Sequence, residues 1–180
     1  MIIREAVKTD LKALLNVEEQ AFGQQEGPEI VNMVKALLSD HTAQPLLSLV
    51  ALRDDQIVGH ILFTRAELSS YRKMNVQLLA PLAVLPEEQN RGTGGRLVKR
   101  GLEMLEQKGT KMVFVLGLPE YYPRFGFMEA GKLGFEAPYP IEAEHAAAWM
   151  VWELSPGISG KSTGKVICAD AINQPEYWHE

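Results

Sequence analysis

The spacing of apolar positions changes repeatedly along the chain, and each change marks an element. Ile2 and Ile3 open a short strand over "IIREA". Leu11, Leu14, Leu15 and Phe22 then recur at helical spacing, with Thr9 and Asp10 placed to cap that helix. Gly27 interrupts, and Pro28 suits the first turn of a second helix turning Ile30, Met33 or Val34, Leu37 and Leu38 inward. "PLLSLVAL" and "QIVGHILFTRAEL" are apolar strands joined across "RDDQ", a hairpin pattern. In the next strand, "NVQLLAPLAVL", Pro81 has no N–H to give a ladder, so a bulge or splayed edge is expected there. Leu97, Val98, Leu102 and Leu105 return to helical spacing, with Gly109 as the C-cap, and "KMVFVLGL" is an apolar run of the buried-strand kind.

Strand, glycine-rich turn, helix and strand in that order form a βαβ unit, which predicts a parallel pair with a right-handed crossover. "EAPYPIEAEHAAAWMVWEL" accommodates a short helix and a strand, and "GKVICADAI" a last strand. The class is α+β, with a mixed, mostly antiparallel sheet. At 180 residues and 46% hydrophobic, the chain supports one well-buried core, a single domain over residues 1–180. A net charge of -5 leaves no basic excess for generic nucleic-acid binding. No apolar run reaches signal-peptide or membrane-span length, and the lone Cys168 fits a reducing compartment, so a soluble cytoplasmic protein is expected. No Cys/His spacing suggests a metal.

"PEEQNRGTGGRLVKRGLEML", residues 86–105, stands out from this frame. Gly92, Gly94 and Gly95 open a helix, and each costs it about 1 kcal/mol against alanine. Two readings account for them. Either they seat an anion on the unpaired amides and positive end of the helix, with Arg91 and Arg96 at the rim, or they make a loop and let the helix pack tightly. A dinucleotide fingerprint is excluded, because residues 86–91 separate the strand from the glycines. "SPGISGKST" resembles a P-loop at Gly160, Lys161 and Ser162. However, Ser155 occupies the leading glycine position and a strand-like segment follows, so it reads as a polar loop.

Gln89, Asn90, Arg91, Gly92, Thr93 and Gly94 match Gln/Arg-x-x-Gly-x-Gly/Ala, after a strand and before an amphipathic helix. "YYPRFGF", residues 121–127, resembles a Tyr-x-x-x-Gly-Phe block after the next strand. Together they resemble the GCN5-related N-acetyltransferase (GNAT) family, in its bacterial predicted N-acetyltransferase branch, with a cofactor core over residues 76–130.

The resemblance implies an enzyme that transfers an acetyl group from acetyl-CoA directly to a primary amine, on a small molecule or a peptide. The pantetheine arm would pair with Leu82, Ala83 and Val84 as an added strand. Gln89, Asn90, Arg91, Gly92, Thr93, Gly94, Gly95 and Arg96 would cradle the pyrophosphate, and Tyr122 would protonate the departing thiolate. A homodimer is compatible with the resemblance. The alternative is a non-catalytic acyl-CoA-binding sensor module. It is favoured by the absence of Asp or Glu from "NVQLLAPLAV", where the family often keeps a base. A purely structural domain is opposed by the cost of the glycines. Glu18, Glu19, Glu26 and Glu29 fall near the acceptor side, with most expected in solvent. His60 reads as a satisfied sheet residue, Tyr121 as packing and Cys168 as a buried structural thiol. Trp149, Trp152 and Trp178 fit core or interface better than an acceptor pocket.

Overall fold

The structure, a computed structural model, describes residues 1–155, Gly157 and 162–179; Gly160 and Lys161 of the P-loop-like segment lie outside the described residues. The strands are β1 (Ile2–Glu5), β2 (Leu47–Arg53), β3 (Gln56–Leu68), β4 (Tyr71–Val84), β5 (Met112–Leu116), β6 (Met128–Glu129), β7 (Phe135–Glu136), β8 (Trp149–Glu153) and β9 (Gly164–Ile167). They form one mixed sheet in the order β1-β2-β3-β4-β5-β8-β6, with β9 paired to β3 and β7. All pairs are antiparallel except β4 with β5 and β7 with β9. The helices are α1 (Leu11–Ser39) and α2 (Thr93–Gln107), and α2 is the crossover between the parallel strands β4 and β5. The β2–β3 hairpin turns on Asp54 and Asp55, whose φ angles of 50° and 63° suit the tight primed turn that matches strand twist.

Each face of the sheet takes one helix. Met33 and Leu37 of α1 pack with Leu62, Leu78, Phe114 and Trp149. On the opposite face Leu97, Val98, Leu102 and Leu105 of α2 cover Leu49, Phe63, Leu79 and Val113, the four-residue set that the helical spacing predicts. Gly101 lies on that inward face, and a β-carbon there would stand 2.3 Å from Cε2 of Phe63. The bare backbone is what lets the helix approach.

Some local expectations change. The break in α1 falls at Gly23, in a positive-φ conformation (φ 78°), rather than at Gly27. Pro28 comes about one turn into the second arm, where few backbone amides have helical acceptors to lose. Gly27 serves close packing instead: a β-carbon would stand 2.6 Å from the Glu19 carbonyl oxygen. Asp10 does not cap α1. Its carboxylate accepts from Arg4 at 2.7 and 3.1 Å and from the Val7 amide at 2.7 Å, and Leu11 is exposed.

The chain's last segment folds back over the α1 face. Asp40 and Thr42 accept the amides of Ala171 and Asp170, both at 2.9 Å. Trp178 packs edge-on against Trp149 at 5.7 Å and donates its indole N–H to the Ile172 carbonyl. Trp149 and Trp178 are therefore core, as expected, and Cys168 is buried beside them.

Candidate active site

The parallel pairing of β4 with β5 runs from Val76–Met112 to Leu79–Val115 and stops. β4 continues to Val84 beside β3, with a register shift between Leu79 and Leu82 that spans Ala80–Pro81, while β5 ends at Leu116. This is the splay that Pro81 predicts. The Leu85 amide donates to the Val58 carbonyl, so by strand alternation Ala83 also points its N–H and C=O at β3, and those of Leu82 and Val84 face the gap. The Gln89 side-chain amide N–H donates to the Val84 carbonyl at 3.0 Å. Both backbone groups of Leu82 and the N–H of Val84 stay unclaimed among the described residues.

The side chains of Leu82 and Val84 lead to the start of α2, each within 3.7 Å of where a Gly94 β-carbon would stand. Asn90 and Gly92 take left-handed conformations, φ 60° and 86°, that bend the loop, and Gly92 is the N-cap with no side-chain cap. Arg96 makes the first amide-to-carbonyl bond of the helix, to Gly92 at 3.1 Å. The amides of Thr93, Gly94 and Gly95 thus have no partner among the described residues, and they carry the positive end of the helix dipole. Thr93 is buried with its hydroxyl unpaired. Glu88 is buried too and holds the loop from below, taking Arg53 at 2.7 Å and Arg91 at 3.4 Å.

The gap and the helix start open into one cleft of about 1240 Å³. Of the predicted binding residues, Leu82, Val84, Gln89, Asn90, Gly92, Thr93, Gly94, Gly95 and Arg96 line it. Ala83 and Arg91 do not: Ala83 lies buried opposite His60, and the Arg91 guanidinium turns to Glu88. Tyr122 also lines the cleft, 7% exposed, its ring against Gly117 and edge-on to Phe127 at 5.5 Å. Its hydroxyl has no hydrogen-bond partner among the described residues. Burial pushes the Tyr122 phenol well up, and neighbouring Tyr121 adds to the rise.

Tyr121, expected only as packing, lines the cleft as well. Its hydroxyl stands 2.8 Å from where a Gly94 β-carbon would be, and the Arg124 guanidinium covers its ring at 4.6 Å. The sequence signal was the doubled tyrosine, which does not say which ring turns inward.

The carboxylates separate sharply. Glu26 and Glu29 of α1 line the cleft, as does Glu176 from the C-terminal turn. Glu18 does not, and it is fully buried against expectation, paired with Nδ1 of His60. Ser48 Oγ meets the other ring nitrogen at 2.9 Å, so His60 is the satisfied sheet residue its position suggested. Desolvation raises the Glu18 carboxyl above its usual range, with His60 opposing, and one Glu18 oxygen has no partner. Glu142, Glu144 and His145 bring possible metal-ligand atoms within 4.8 Å on an exposed turn outside the cleft lining, a common surface arrangement without an ion. No helix among the described residues is long and apolar enough to cross a membrane.

A family model described as an acetyltransferase (GNAT) domain matches residues 2–130. The chain is 45% identical over 165 residues to the uncharacterized N-acetyltransferase YjhQ of Escherichia coli (strain K12), covering 91% of this chain and 89% of that protein. Its fold is similar to the GNAT family N-acetyltransferase YhbS from Escherichia coli, solved in complex with CoA. That match has a TM-score of 0.85 at 26% identity, over 97% of this chain and 92% of that one. A GNAT family acetyltransferase from Brucella melitensis, solved in complex with acetyl-CoA, matches with a TM-score of 0.70 at 30% identity, over 95% of this chain and 97% of the other. A family model spanning most of the sequence, a relative 45% identical along nearly all of it and a matching fold agree: the chain belongs to the GNAT family of acetyltransferases.

Proposed function

We propose that the protein is an acetyl-CoA-dependent N-acyltransferase that moves an acetyl group directly to a primary amine. The observation that carries this reading is the meeting, in one cleft, of an unpaired strand edge at Leu82 and Val84 with a bare helix N-terminus at Thr93 to Gly95. An extended amide-bearing arm that ends in a pyrophosphate fits both at once. The backbone of Leu82 and Val84 would hold the arm, and the amides of Thr93, Gly94 and Gly95 with the Arg96 side chain would hold the phosphates. The CoA and acetyl-CoA complexes of the similar GNAT structures support the same ligand.

Transfer forms a bond from the amine nitrogen to the acyl carbon and breaks the bond from that carbon to sulfur. A backbone amide at Leu82 or Val84 would take the charge that grows on the acyl oxygen. Tyr122 stays protonated because burial raises its phenol. For the same reason complete proton transfer to a thiolate, whose parent thiol titrates at about 8.5, is steeply uphill. Its role in this mechanism is to donate a hydrogen bond to the leaving sulfur. Glu26 or Glu29, both in the cleft, would take the amine proton through water.

Calorimetric titration of acetyl-CoA, with CoA as control, tests the binding half. CoA release across a panel of amines tests the transfer half. Micromolar binding with amine-dependent release is expected. Binding with no release from any amine would mark a sensor module, the reading favoured by a β4 strand without carboxylates. No binding would overturn both.

A further inference from the structure

The Glu18–His60 pair takes no part in the chemistry described above, yet it sits where the elements that carry that chemistry meet. Both side chains are fully buried, whereas pairs such as Arg4–Asp10 and Arg53–Glu88 keep one partner at the surface. Glu18 holds Nδ1 of His60 and the Ser48 hydroxyl meets Nε2 at 2.9 Å, so the ring is fixed at both nitrogens. A buried pair of this kind adds little net stability over apolar packing, and its best attested use is to fix geometry. In the β3–β4 pairing His60 stands opposite Ala83, which lies between Leu82 and Val84, the residues whose backbone groups face the gap. On α1, Phe22 follows Glu18 by one turn and lines the cleft. Beyond the break at Gly23 the second arm rests on the first. Gly27 is buried there, and its missing β-carbon would stand 2.6 Å from the Glu19 carbonyl oxygen. Glu26, the residue before Gly27, lines the cleft. A contiguous path therefore runs from the Ala83 backbone through His60 and Glu18 to Glu19, Gly27 and Glu26.

We infer that Glu18 and His60 are positioning residues for acetyl transfer: the pair sets the spacing between the strand edge at Leu82 and Val84 and the α1 residues Phe22 and Glu26 that share its cleft. This rests on the acetyltransferase reading above and names the residues that hold its two halves in register. Amine, acyl carbon and base must meet at reacting distance, and a displacement of about 1 Å made far from the chemistry can slow a step by about 100-fold. α1 and α2 cover opposite faces of the sheet, so a displaced α1 leaves the helix start at Thr93 to Gly95 as it was. Transfer should therefore suffer while cofactor binding does not. A spacer also needs length more than charge. Glutamine at position 18 keeps the reach of the native side chain and can accept the Nδ1 proton of His60. Aspartate keeps the charge but is one methylene short, and either the contact breaks or the first arm of α1 is drawn toward the sheet.

The test uses the full chain. Calorimetry gives acetyl-CoA affinity, and CoA release with the amine that the wild type acetylates fastest gives kcat and KM. Glu18→Asp should lower kcat about tenfold or more, with acetyl-CoA affinity within about twofold of the wild type. Glu18→Gln should keep kcat within about threefold. Gly27→Ala leaves the pair intact and breaks the path one contact later. It should lower kcat in the same way, and it supplies the test if Glu18→Asp does not fold. Gly101→Ala, which strains the core on the α2 face, should leave kcat unchanged and so separates lost spacing from lost stability. Wild-type kcat in folded Glu18→Asp or Gly27→Ala overturns the inference and leaves the enzyme reading intact. So does a loss in Glu18→Gln equal to that in Glu18→Asp, or an acetyl-CoA affinity that falls in step with kcat. A wild type that binds acetyl-CoA but releases no CoA with any amine overturns the transfer reading, and this inference with it.

Discussion

One substitution made at two places on α2 separates what its glycines do. At Gly101→Ala, helix propensity alone predicts a gain of about 1 kcal/mol. The new methyl carbon, however, would stand 2.3 Å and 2.5 Å from Cε2 and Cζ of Phe63, a ring with no exposed surface. Neither the ring nor the helix can move without disturbing Leu97, Leu102 and the sheet beneath. Overpacking of this kind costs about 1–3 kcal/mol, and the severity of the contact puts it at the upper end. Set against the propensity gain, the net loss is about 2 kcal/mol, which lowers Tm by roughly 4–8 °C in a chain of this size. Acetyl-CoA affinity should barely change, because the residue lies on the core side of the helix. At Gly94→Ala the methyl is too close only to the Tyr121 hydroxyl, at 2.8 Å, the far end of a half-exposed side chain that can swing away, and makes ordinary contacts with Leu82 and Val84 at 3.7 Å. Tm should stay within about 2 °C, while acetyl-CoA affinity falls at least about tenfold as the methyl enters the proposed phosphate seat. Thermal melts followed by circular dichroism, with calorimetric titration of acetyl-CoA, read both effects. A higher Tm for Gly101→Ala would refute the packing argument. Unchanged affinity in a folded Gly94→Ala would refute the seat.

Other consequences can be checked independently. Tyr122→Phe should lower kcat about tenfold or more with acetyl-CoA affinity unchanged, since the lost hydroxyl has no ground-state partner; equal turnover would remove its role at sulfur. Glu18→Ala strands His60 in the core and should cost about 3–5 kcal/mol in urea unfolding. Because burial raises Glu18, its contribution to stability is present at pH below about 4.5 and is lost as pH rises through the raised value, so Glu18→Gln should flatten that limb. Asp10 works in the opposite sense. Arg4 and the Val7 amide hold it below 3.8, so its contribution is present above that pH and is lost as acid is added through the lower folded value; Asp10→Asn should remove this loss. Cys168, pushed up to about 12 by burial with Asp170 contributing, should resist alkylation at pH 8 in the native protein and react once the chain is unfolded.

What the sequence made legible was what neighbouring residues decide among themselves. The inward face of α2, the β2–β3 hairpin and the interruption at Pro81 each follow from local periodicity or from a missing N–H, and each is where it was expected. The cleft lining at the start of α2 was readable for the same reason, since a helix start and its glycines are contiguous. The carboxylates that α1 and the C-terminal turn contribute to the cleft were not. Glu176 reaches the cleft only because Asp40 and Thr42 capture the backbone of residues 170 and 171, more than a hundred residues away, and nothing in "QPEYWH" announces that contact. Glu18 looked like its neighbours Glu19 and Glu26, and only the fold brings His60 above it. The doubled tyrosine was ambiguous because ring direction depends on Gly117 and Gly94, which sit on different elements.

The gap between β4 and β5 also bears on self-association. An unpaired strand edge is a template on which another chain can add a strand, and proteins usually blunt such edges with charge, proline or a covering element. Here the edge lies inside the sheet, bounded by β5 on one side and by the α2 loop at its end, and Pro81 withholds one donor. An incoming strand carries side chains on both faces at every second position and would meet α1 on one side and Tyr121 and Phe125 on the other. A thin chain with amides and, near its thiol end, no substituents meets neither obstacle. On the proposed reading the notch admits a thin pantetheine-like arm and hinders an added strand, so backbone groups kept bare for binding are shielded from aggregation.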